Sequence, residues 1–255
     1  MKYMGSKSRI ATSIVPILNK IVTENNVQLY VEPFVGGANI IDKVVCEKKI
    51  GCDKQKYLIS LYQNLDKIHL LPDFVTKEHY SEVRESFNKN DGAFEDWYIG
   101  AIGFLASYNG RFFDGGYAGL VKTKAGAVRN YYDEAKRNLE KQMPSLQNIE
   151  FKSGDYRLTC SDYENALIYC DPPYINTKQY GVSRDFYHEE FWDWVRKMSE
   201  RNIVIVSEFV ARDDFKCIWD APLKRTIDNN KRVETIERLF IYDENKYAKV
   251  YEVIK

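Results

Sequence analysis

The chain has 255 residues, of which 44% are hydrophobic and 14% aromatic, enough to bury the core of one large α/β domain or of one domain with an insertion. Lysine plus arginine equals aspartate plus glutamate at 37 each, so the global charge gives no argument for or against a nucleic-acid partner. The five cysteines lack zinc-like C-x-x-C spacing, and we find neither a signal peptide nor an apolar run that could span a bilayer, so we predict a cytoplasmic protein with reduced thiols.

The first segment combines a short arm with a helix. Tyr3 and Lys7 lie in the arm, and apolar residues at helical spacing from Ile10 to Ile21 predict a helix directly after it. Taken alone, Tyr3 and Lys7 are ordinary residues of an N-terminal arm.

A strand and a glycine turn come next. Leu29-Tyr30-Val31 predicts a buried strand, which leads into Glu32-Pro33-Phe34-Val35-Gly36-Gly37 and a predicted helix from Asn39. This order is typical of a nucleotide-binding βαβ unit, because glycines let a ligand approach the backbone closely. The dinucleotide fingerprint G-x-G-x-x-G is absent, which argues against NAD. A second predicted strand, Ile50-Gly51-Cys52, ends at Asp53, where such folds hold ribose hydroxyls; the alternative role for Asp53 is a helix N-cap.

Between residues 54 and 148 the alternation of strands and helices lapses. Apolar spacing predicts helices across residues 58–65, 80–87 and 97–105. Residues 108–131 are rich in glycine and aromatic residues and carry four basic residues against one acid: Arg111, Lys122, Lys124 and Arg129. We predict a basic hairpin or loop, whose charges would contact phosphates and whose rings would stack on bases. The alternative is a solvated loop with its aromatic side chains packed inward.

The α/β pattern resumes at the predicted strand Ile149-Glu150-Phe151, which is followed by Asp155 and Tyr156. An acid beside an aromatic ring could bind a purine, since the acid accepts from an amino group and the ring covers a face. Further predicted elements are a loop over the site at residues 176–188, a helix at 191–198, a buried strand at 203–207, and closing strands at 235–242 and 249–254.

The most informative stretch is Asp171-Pro172-Pro173-Tyr174, which follows the buried strand predicted at residues 166–170. Asp171 and Pro172 each precede a proline, so both are pushed towards extended backbone, and the prolines offer carbonyls without N–H donors. Such a stiff turn suits a planar amine, because Asp171 and the Pro172 carbonyl can accept its two hydrogens while Tyr174 stacks on its face. The alternative is an ordinary proline-rich turn.

Four segments in one order make the chain resemble the Dam-like DNA adenine methyltransferases over nearly its whole length: Tyr3-x-Gly5-x-Lys7, Glu32-Pro33-Phe34-x-Gly36-Gly37, Asp53 and Asp171-Pro172-Pro173-Tyr174. The resemblance implies an α/β, Rossmann-like, mostly parallel fold of the S-adenosylmethionine-dependent methyltransferases. It also implies a catalytic domain of residues 1–57 plus 149–255, with an inserted helical target-recognition domain at residues 58–148. Ala38 is a mild departure, because the family often has a third glycine there.

The resemblance also implies roles for single residues. Lys7 would meet the methionine carboxylate of the cofactor, Asp53 its ribose hydroxyls, and Asp155 would lie near its adenine. The other implied cofactor contacts are Tyr3, Glu32, Phe34, Gly36 and Asp171. The catalytic residues would be Asp171, Pro172, Pro173 and Tyr174, and no metal is expected. The predicted DNA contacts come from the local basic excess instead: Arg111 and Arg129 are candidates for base contacts, and Lys122 and Lys124 for phosphate contacts.

The implied reaction is methyl transfer from S-adenosylmethionine to the 6-amino group of adenine in double-stranded DNA, with S-adenosylhomocysteine as the product. The target base would be flipped out of the duplex onto Tyr174. Because the sulfonium is a good leaving group, the reaction needs alignment more than acid–base help. The alternatives are the 4-amino group of cytosine, adenine in RNA, a glutamine side chain, and a catalytically inactive DNA-binding relative.

Methylation at cytosine carbon 5 is disfavoured, because that chemistry typically uses a cysteine after proline and the sequence has no Pro-Cys pair. We expect a monomeric bacterial or phage type of enzyme in the cytoplasm. Its setting, whether restriction–modification, orphan methylation or phage protection, stays open.

Overall fold

The structure, a computed structural model, describes residues 1–122, 126–174, 186–228 and 231–244, with the backbone alone for residues 223–228 and 231–234. Its strands are β1 Leu29–Glu32, β2 Lys48–Asp53, β3 Leu120–Lys122, β4 Val128–Asn130, β5 Ile149–Ser153, β6 Leu167–Cys170, β7 Ile203–Glu208, β8 Phe215–Asp228 and β9 Lys231–Tyr242. Its α-helices are α1 Ala11–Glu24, α2 Lys56–Gln63, α3 Lys77–Lys89, α4 Asp96–Leu105, α5 Tyr131–Leu146, α6 Tyr156–Thr159 and α7 His188–Ser199. Short 3₁₀ turns lie at Lys7–Arg9, Leu65–Leu70 and Tyr108–Gly110.

The central element is a seven-stranded sheet in the order β5-β2-β1-β6-β7-β9-β8. Strands β5, β2, β1, β6 and β7 pair in parallel, and β9 and β8 complete the sheet antiparallel. The predicted mostly parallel α/β fold is confirmed. The strand order reverses between β1 and β6, and the carboxyl ends of strands at such a switch point form the usual ligand crevice. The turns after β1 and β6 are therefore neighbours.

Both faces of the sheet are covered, which explains why β6 is apolar at every position. Tyr30 and Tyr169 belong to a core that includes α1 and the helices of residues 58–148. Val31 and Cys170 point to the opposite side and join a second core with α6 and α7. The sequence of a strand that is buried on both faces is typically a continuous hydrophobic run, and β6 has such a sequence.

The segment between β2 and β5 is mostly helical. Helices α2, α3 and α4 lie where apolar spacing predicted them. Gly100 permits α4 to approach α2 closely, because a Cβ there would lie 2.1 Å from the Tyr57 carbonyl oxygen. Strands β3 and β4 form an antiparallel hairpin with Val121 opposite Arg129, which agrees with the predicted basic hairpin.

One expectation about secondary structure needs correction. The helix predicted from Asn39 is wrong: the chain forms turns there, with the Val44 amide bonded to the Ile40 carbonyl at 3.2 Å. A long-range contact fixes the start of these turns, since the carbonyls of Gly37 and Ala38 accept hydrogen bonds from Gln142 Nε2 at 3.3 and 2.8 Å. The predicted closing strand at 235–242 is confirmed within β9, which pairs with β7 on one side and with β8 on the other.

The strand predicted at 249–254 and most of the loop predicted at 176–188 lie outside the described residues. Among the helices that the structure describes, none combines the length and the apolar character that crossing a bilayer requires.

Candidate active site

The tetrapeptide after β6 lies against the N-terminal arm. Lys7 Nζ is 2.7 Å from Asp171 Oδ1, and it also donates a hydrogen bond to the Tyr174 hydroxyl. The same ammonium lies 4.3 Å from the centroid of the Tyr174 ring, within cation–π distance. Lys7 is 9% exposed and Asp171 21%, so the ion pair is largely withdrawn from water. Lys7 of the first motif and Asp171 and Tyr174 of the last motif thus form one cluster.

Two residues that we did not predict complete this cluster. Glu237 of β9 accepts hydrogen bonds from the Tyr174 hydroxyl and, at 2.6 Å, from Ser207 Oγ at the end of β7. Glu237 Oε1 also lies 3.5 Å from Lys7 Nζ. One sequence signal could have found this acid: it precedes Leu239 and Ile241 at strand spacing, so it occupies an apolar face.

Burial shifts the acids of this region towards the protonated form. It raises the pKa of Asp171, with a further increase from the Glu237 charge and an opposing decrease from Lys7. Burial also raises the pKa of Glu208 to about 8, although the Phe209 amide donates to its Oε1 at 3.0 Å. Glu32, at the end of β1, accepts from the Tyr30 hydroxyl at 2.7 Å, and its burial raises its pKa well above the usual range.

Asp53 links the glycine turn to the end of β2. Its Oδ2 accepts from the Gly36 amide at 3.1 Å and its Oδ1 from the Gln55 amide at 2.9 Å. The N-cap of α2 is Gln55, so Asp53 does not serve in that alternative role. Burial raises the pKa of Asp53, and the amide donors oppose that increase.

The glycines receive the N-terminal arm. A Cβ at Gly36, whose φ is +45°, would lie 3.0 Å from the Tyr3 ring. A Cβ at Gly37 would lie 2.5 Å from Asn39 Nδ2 and 2.9 Å from Tyr3 Cβ. The absence of side chains at both positions therefore lets Tyr3 pack on the turn and brings Lys7 towards β6.

Asp155, the acid predicted near the cofactor adenine, forms an ion pair with Arg157. Both carboxylate oxygens of Asp155 accept from the Arg157 side chain, at 2.8 and 3.0 Å, and this pairing lowers the pKa of Asp155. The Phe34 ring lies 5.2 Å from the Tyr156 ring, centroid to centroid, and 5.7 Å from the Phe186 ring. The structure therefore brings Phe34 and the Asp155–Tyr156 pair to the same side of the sheet edge.

The basic residues of the inserted segment have different surroundings. Arg129 is bonded to Glu134, with Nε 2.8 Å from Oε1, and its guanidinium lies 4.9 Å from the Tyr131 ring centroid. Lys122 is exposed on β3, Arg111 is half-buried, and Lys124 lies outside the described residues. Of the nearby aromatic residues, Phe113 is buried in the core, as the alternative of inward-packed aromatic side chains expects, and Tyr108 is 49% exposed.

The described residues contain no group of three or more His, Cys, Asp or Glu side chains arranged to hold a metal ion.

Comparison with known proteins shows what this arrangement is similar to. Residues 3–198 match the profile of the D12 class N6 adenine-specific DNA methyltransferases. The chain is 26% identical over 201 residues to the Type II methyltransferase M.MjaIII of Methanocaldococcus jannaschii, a match that covers 68% of each protein. It is 29% identical over 162 residues to a DNA adenine methylase of Vibrio cholerae, covering 56% of this chain and 55% of the relative. It is 27% identical over 200 residues to the DNA adenine methylase of Haemophilus influenzae, covering 70% of this chain and 64% of the relative.

Proposed function

Because this chain belongs to the D12 class of N6 adenine-specific DNA methyltransferases, we propose that the cluster of Lys7, Asp171 and Tyr174 carries out methyl transfer from S-adenosylmethionine to adenine. The family match identifies the chain as an adenine-specific DNA methyltransferase, which favours adenine N6 over the 4-amino group of cytosine. The observation that supports the site most directly is the 2.7 Å pair between Lys7 and Asp171 beside the Tyr174 ring.

The chemistry of the tetrapeptide follows from what an aromatic amine needs. The lone pair of the adenine amino group is delocalised into the ring, so the nitrogen is a poor nucleophile. The Asp171 carboxylate and the Pro172 carbonyl would each accept a hydrogen bond from one N–H of this amino group. These two bonds favour a more tetrahedral nitrogen with its lone pair directed at the methyl group. Groups fixed before the reaction lower the barrier by orientation and by electrostatic stabilisation.

The side chains at the sheet edge fit the cofactor that the family implies. Each Asp53 oxygen accepts one backbone amide, so each still has a lone pair for a ribose hydroxyl. Lys7 would hold the methionine carboxylate, the rings of Phe34 and Tyr156 would cover the adenine, and Asp155 would lie at its edge. Further contacts would come from Tyr3, Glu32 and Gly36. When bound, S-adenosylmethionine supplies a methyl group attached to a positively charged sulfur. The sulfur departs as a neutral thioether, so it needs no acid catalyst.

The DNA-binding part of the proposal concerns the segment between β2 and β5. We assign residues 58–148 as the target-recognition domain and residues 1–57 plus 149–255 as the catalytic domain. The substrate would be double-stranded DNA, with the target adenine flipped out to stack on Tyr174. Lys122 on the β3–β4 hairpin would contact phosphates, and the other proposed contacts are Arg111, Lys124 and Arg129.

The setting is also part of the proposal. We place the enzyme in the cytoplasm as a monomer. The Type II name of the relative from Methanocaldococcus jannaschii supports a restriction–modification setting.

The test is a methylation assay with labelled S-adenosylmethionine and duplex DNA, followed by digestion to nucleosides. We expect the label in N6-methyldeoxyadenosine and a lower yield with single-stranded DNA of the same sequence. Label in N4-methyldeoxycytidine would contradict the base assignment. Absence of label with folded protein that binds the duplex would contradict catalysis and support an inactive DNA-binding relative.

A further inference from the structure

Glu237 is a fully buried acid whose contacts lie in the reacting cluster rather than in an ordinary surface ion pair. Its relative exposure is 0%, and its Oε1 meets the Tyr174 hydroxyl, Ser207 Oγ and Lys7 Nζ. Its other oxygen, Oε2, has no hydrogen-bond partner among the described residues. Burying a carboxylate is unfavourable unless its oxygens are well paired, so packing alone gives no reason to place an acid here.

The sheet register explains how a residue near the end of the chain reaches this site. Ser207 pairs with Leu239 and Glu208 with Arg238, so Glu237 lies one position beyond the carboxyl end of β7. Arg238 donates a hydrogen bond to the Phe209 carbonyl, which ties β9 to the segment after β7. The Phe209 ring in turn meets the Tyr174 ring edge-on at 4.4 Å. The hairpin of β8 and β9 thus carries Glu237 to the edge where Asp171 ends β6.

The contacts of Glu237 restrain the two groups that flank Asp171. A phenol hydroxyl that donates to a buried carboxylate is held at one position, so the far end of the ring cannot swing away with a change of side-chain rotamer, and Tyr174 is held in this way. An ammonium between two carboxylates is also held in place, and Lys7 lies 2.7 Å from Asp171 Oδ1 and 3.5 Å from Glu237 Oε1. Ser207 fixes Glu237 itself.

We propose that Glu237 is a positioning residue of methyl transfer, which fixes the Tyr174 ring and the Lys7 ammonium beside Asp171. This inference rests on the proposed function, in which Asp171 and Tyr174 meet the target base. Glu237 acts through those residues and needs no contact with the base or the cofactor.

The charge of Glu237 gives the proposal an electrostatic signature. Six groups face Glu237 from the elements packed against it: Lys7 of the N-terminal arm, Tyr169 of β6, Asp171 and Tyr174 after β6, and Ser207 and Glu208 of β7. Within this set, the Glu237 charge raises the pKa of Asp171 and Lys7 lowers it. Removing that charge while keeping the shape should therefore lower the pKa of Asp171.

The experiment compares Glu237→Gln and Glu237→Ala with the wild type in single-turnover methylation of duplex DNA across pH 5.5–9. Glutamine keeps an acceptor for Tyr174 and Ser207, whereas alanine removes it. We expect Glu237→Ala to lower the methyl-transfer rate about 100-fold and Glu237→Gln about tenfold or less, since orientation effects reach this size. We also expect the acid limb of the rate profile for Glu237→Gln to move to lower pH. The matched control is Glu244→Gln, an exposed acid just after β9, which should leave the rate and the profile unchanged.

The outcomes separate this inference from the proposed function. An inactive wild type would overturn both. An active wild type whose Glu237→Gln and Glu237→Ala variants keep its rate and acid limb would overturn the positioning role alone. If Glu237→Ala fails to fold, Glu237→Leu replaces it, because leucine fills the volume and also removes the acceptor: in activation free energy, the double variant Tyr174→Phe plus Glu237→Leu should lose less than the sum of the two single losses. Additive losses in that cycle would overturn the role, because two residues acting through one hydrogen bond cannot lose it twice.

Discussion

Replacing Asp171 tests the centre of the proposed mechanism. Asp171→Asn keeps the side-chain shape, but it removes the charge and turns one acceptor oxygen into a donor, while Asp171→Ala removes the group. Losing one preorganised hydrogen-bonding group at a reacting centre costs about 10²–10³ in rate. Both variants also lose the 2.7 Å ion pair with Lys7, so this ammonium, which we assign to the methionine carboxylate, would be held less firmly.

We therefore expect both variants to lose methyl transfer by about 10³-fold or more in kcat/KM for S-adenosylmethionine. The assay is single-turnover transfer of labelled methyl to duplex DNA, with a thermal melt of each protein to establish that it is folded. Burial raises the pKa of Asp171, so a neutral asparagine should not lower the melting temperature strongly. Asp162→Asn, at an exposed position on the loop before β6, is the control. Activity of a folded Asp171→Ala within about tenfold of the wild type would refute the reasoning, because it falls below the effect of a single lost group.

Three further predictions follow from individual contacts. Lys7→Ala and Asp53→Ala should each weaken S-adenosylmethionine binding by about 1–3 kcal/mol in calorimetric titration and leave DNA affinity without cofactor unchanged; unchanged cofactor affinity in both would contradict their assignment. Folding raises the pKa of Glu208 from its ordinary 4.5 to about 8, so the folded state binds its proton more tightly than the unfolded chain. The free energy of unfolding should then fall as pH rises through this interval, by at most about 1.4 kcal/mol per pH unit, and urea titrations at pH 6 and 8.5 should show a smaller fall for Glu208→Gln. Glu134→Gln should release Arg129 from its ion pair and strengthen duplex binding at low salt, with a salt slope steeper by about one; equal slopes for wild type and variant would argue against Arg129 as a phosphate contact.

Local sequence patterns predicted the scaffold of the site well. The run before Asp171 is apolar at every position because β6 is covered on both faces, and the acid at its end marks the sheet edge. Asp53 likewise ends β2, and the apolar spacing of α2, α3 and α4 located the helices of the inserted segment. Each of these features follows from neighbours within a few residues, which is the range over which periodicity is informative.

Features that depend on distant contacts could not be predicted in this way. Nothing near Glu237 in the sequence reveals that it meets Tyr174, because their proximity follows from the antiparallel register of β9 on β7. The turns that replace the helix predicted after the glycine turn are tied to a distant residue, because Gln142 Nε2 donates to the Gly37 and Ala38 carbonyls, and local periodicity does not reveal that contact. The packing of Tyr3 against the two glycines is another contact between distant segments that local patterns do not reveal.

The charge balance of the cluster bears on what the site is suited to bind. Within the described cluster, Lys7 supplies one positive charge against the two carboxyl groups of Asp171 and Glu237. A further cation beside them would lower the pKa of Asp171 for the same reason that Lys7 lowers it. Binding of a cation and ionisation of Asp171 therefore favour each other, since linkage between two binding events is reciprocal. The methyl donor of this family carries a positive sulfonium and its demethylated product does not, so these acids would favour the donor over the product. The positive charge of the bound donor would in turn keep Asp171 ionised when its acceptor oxygens are needed.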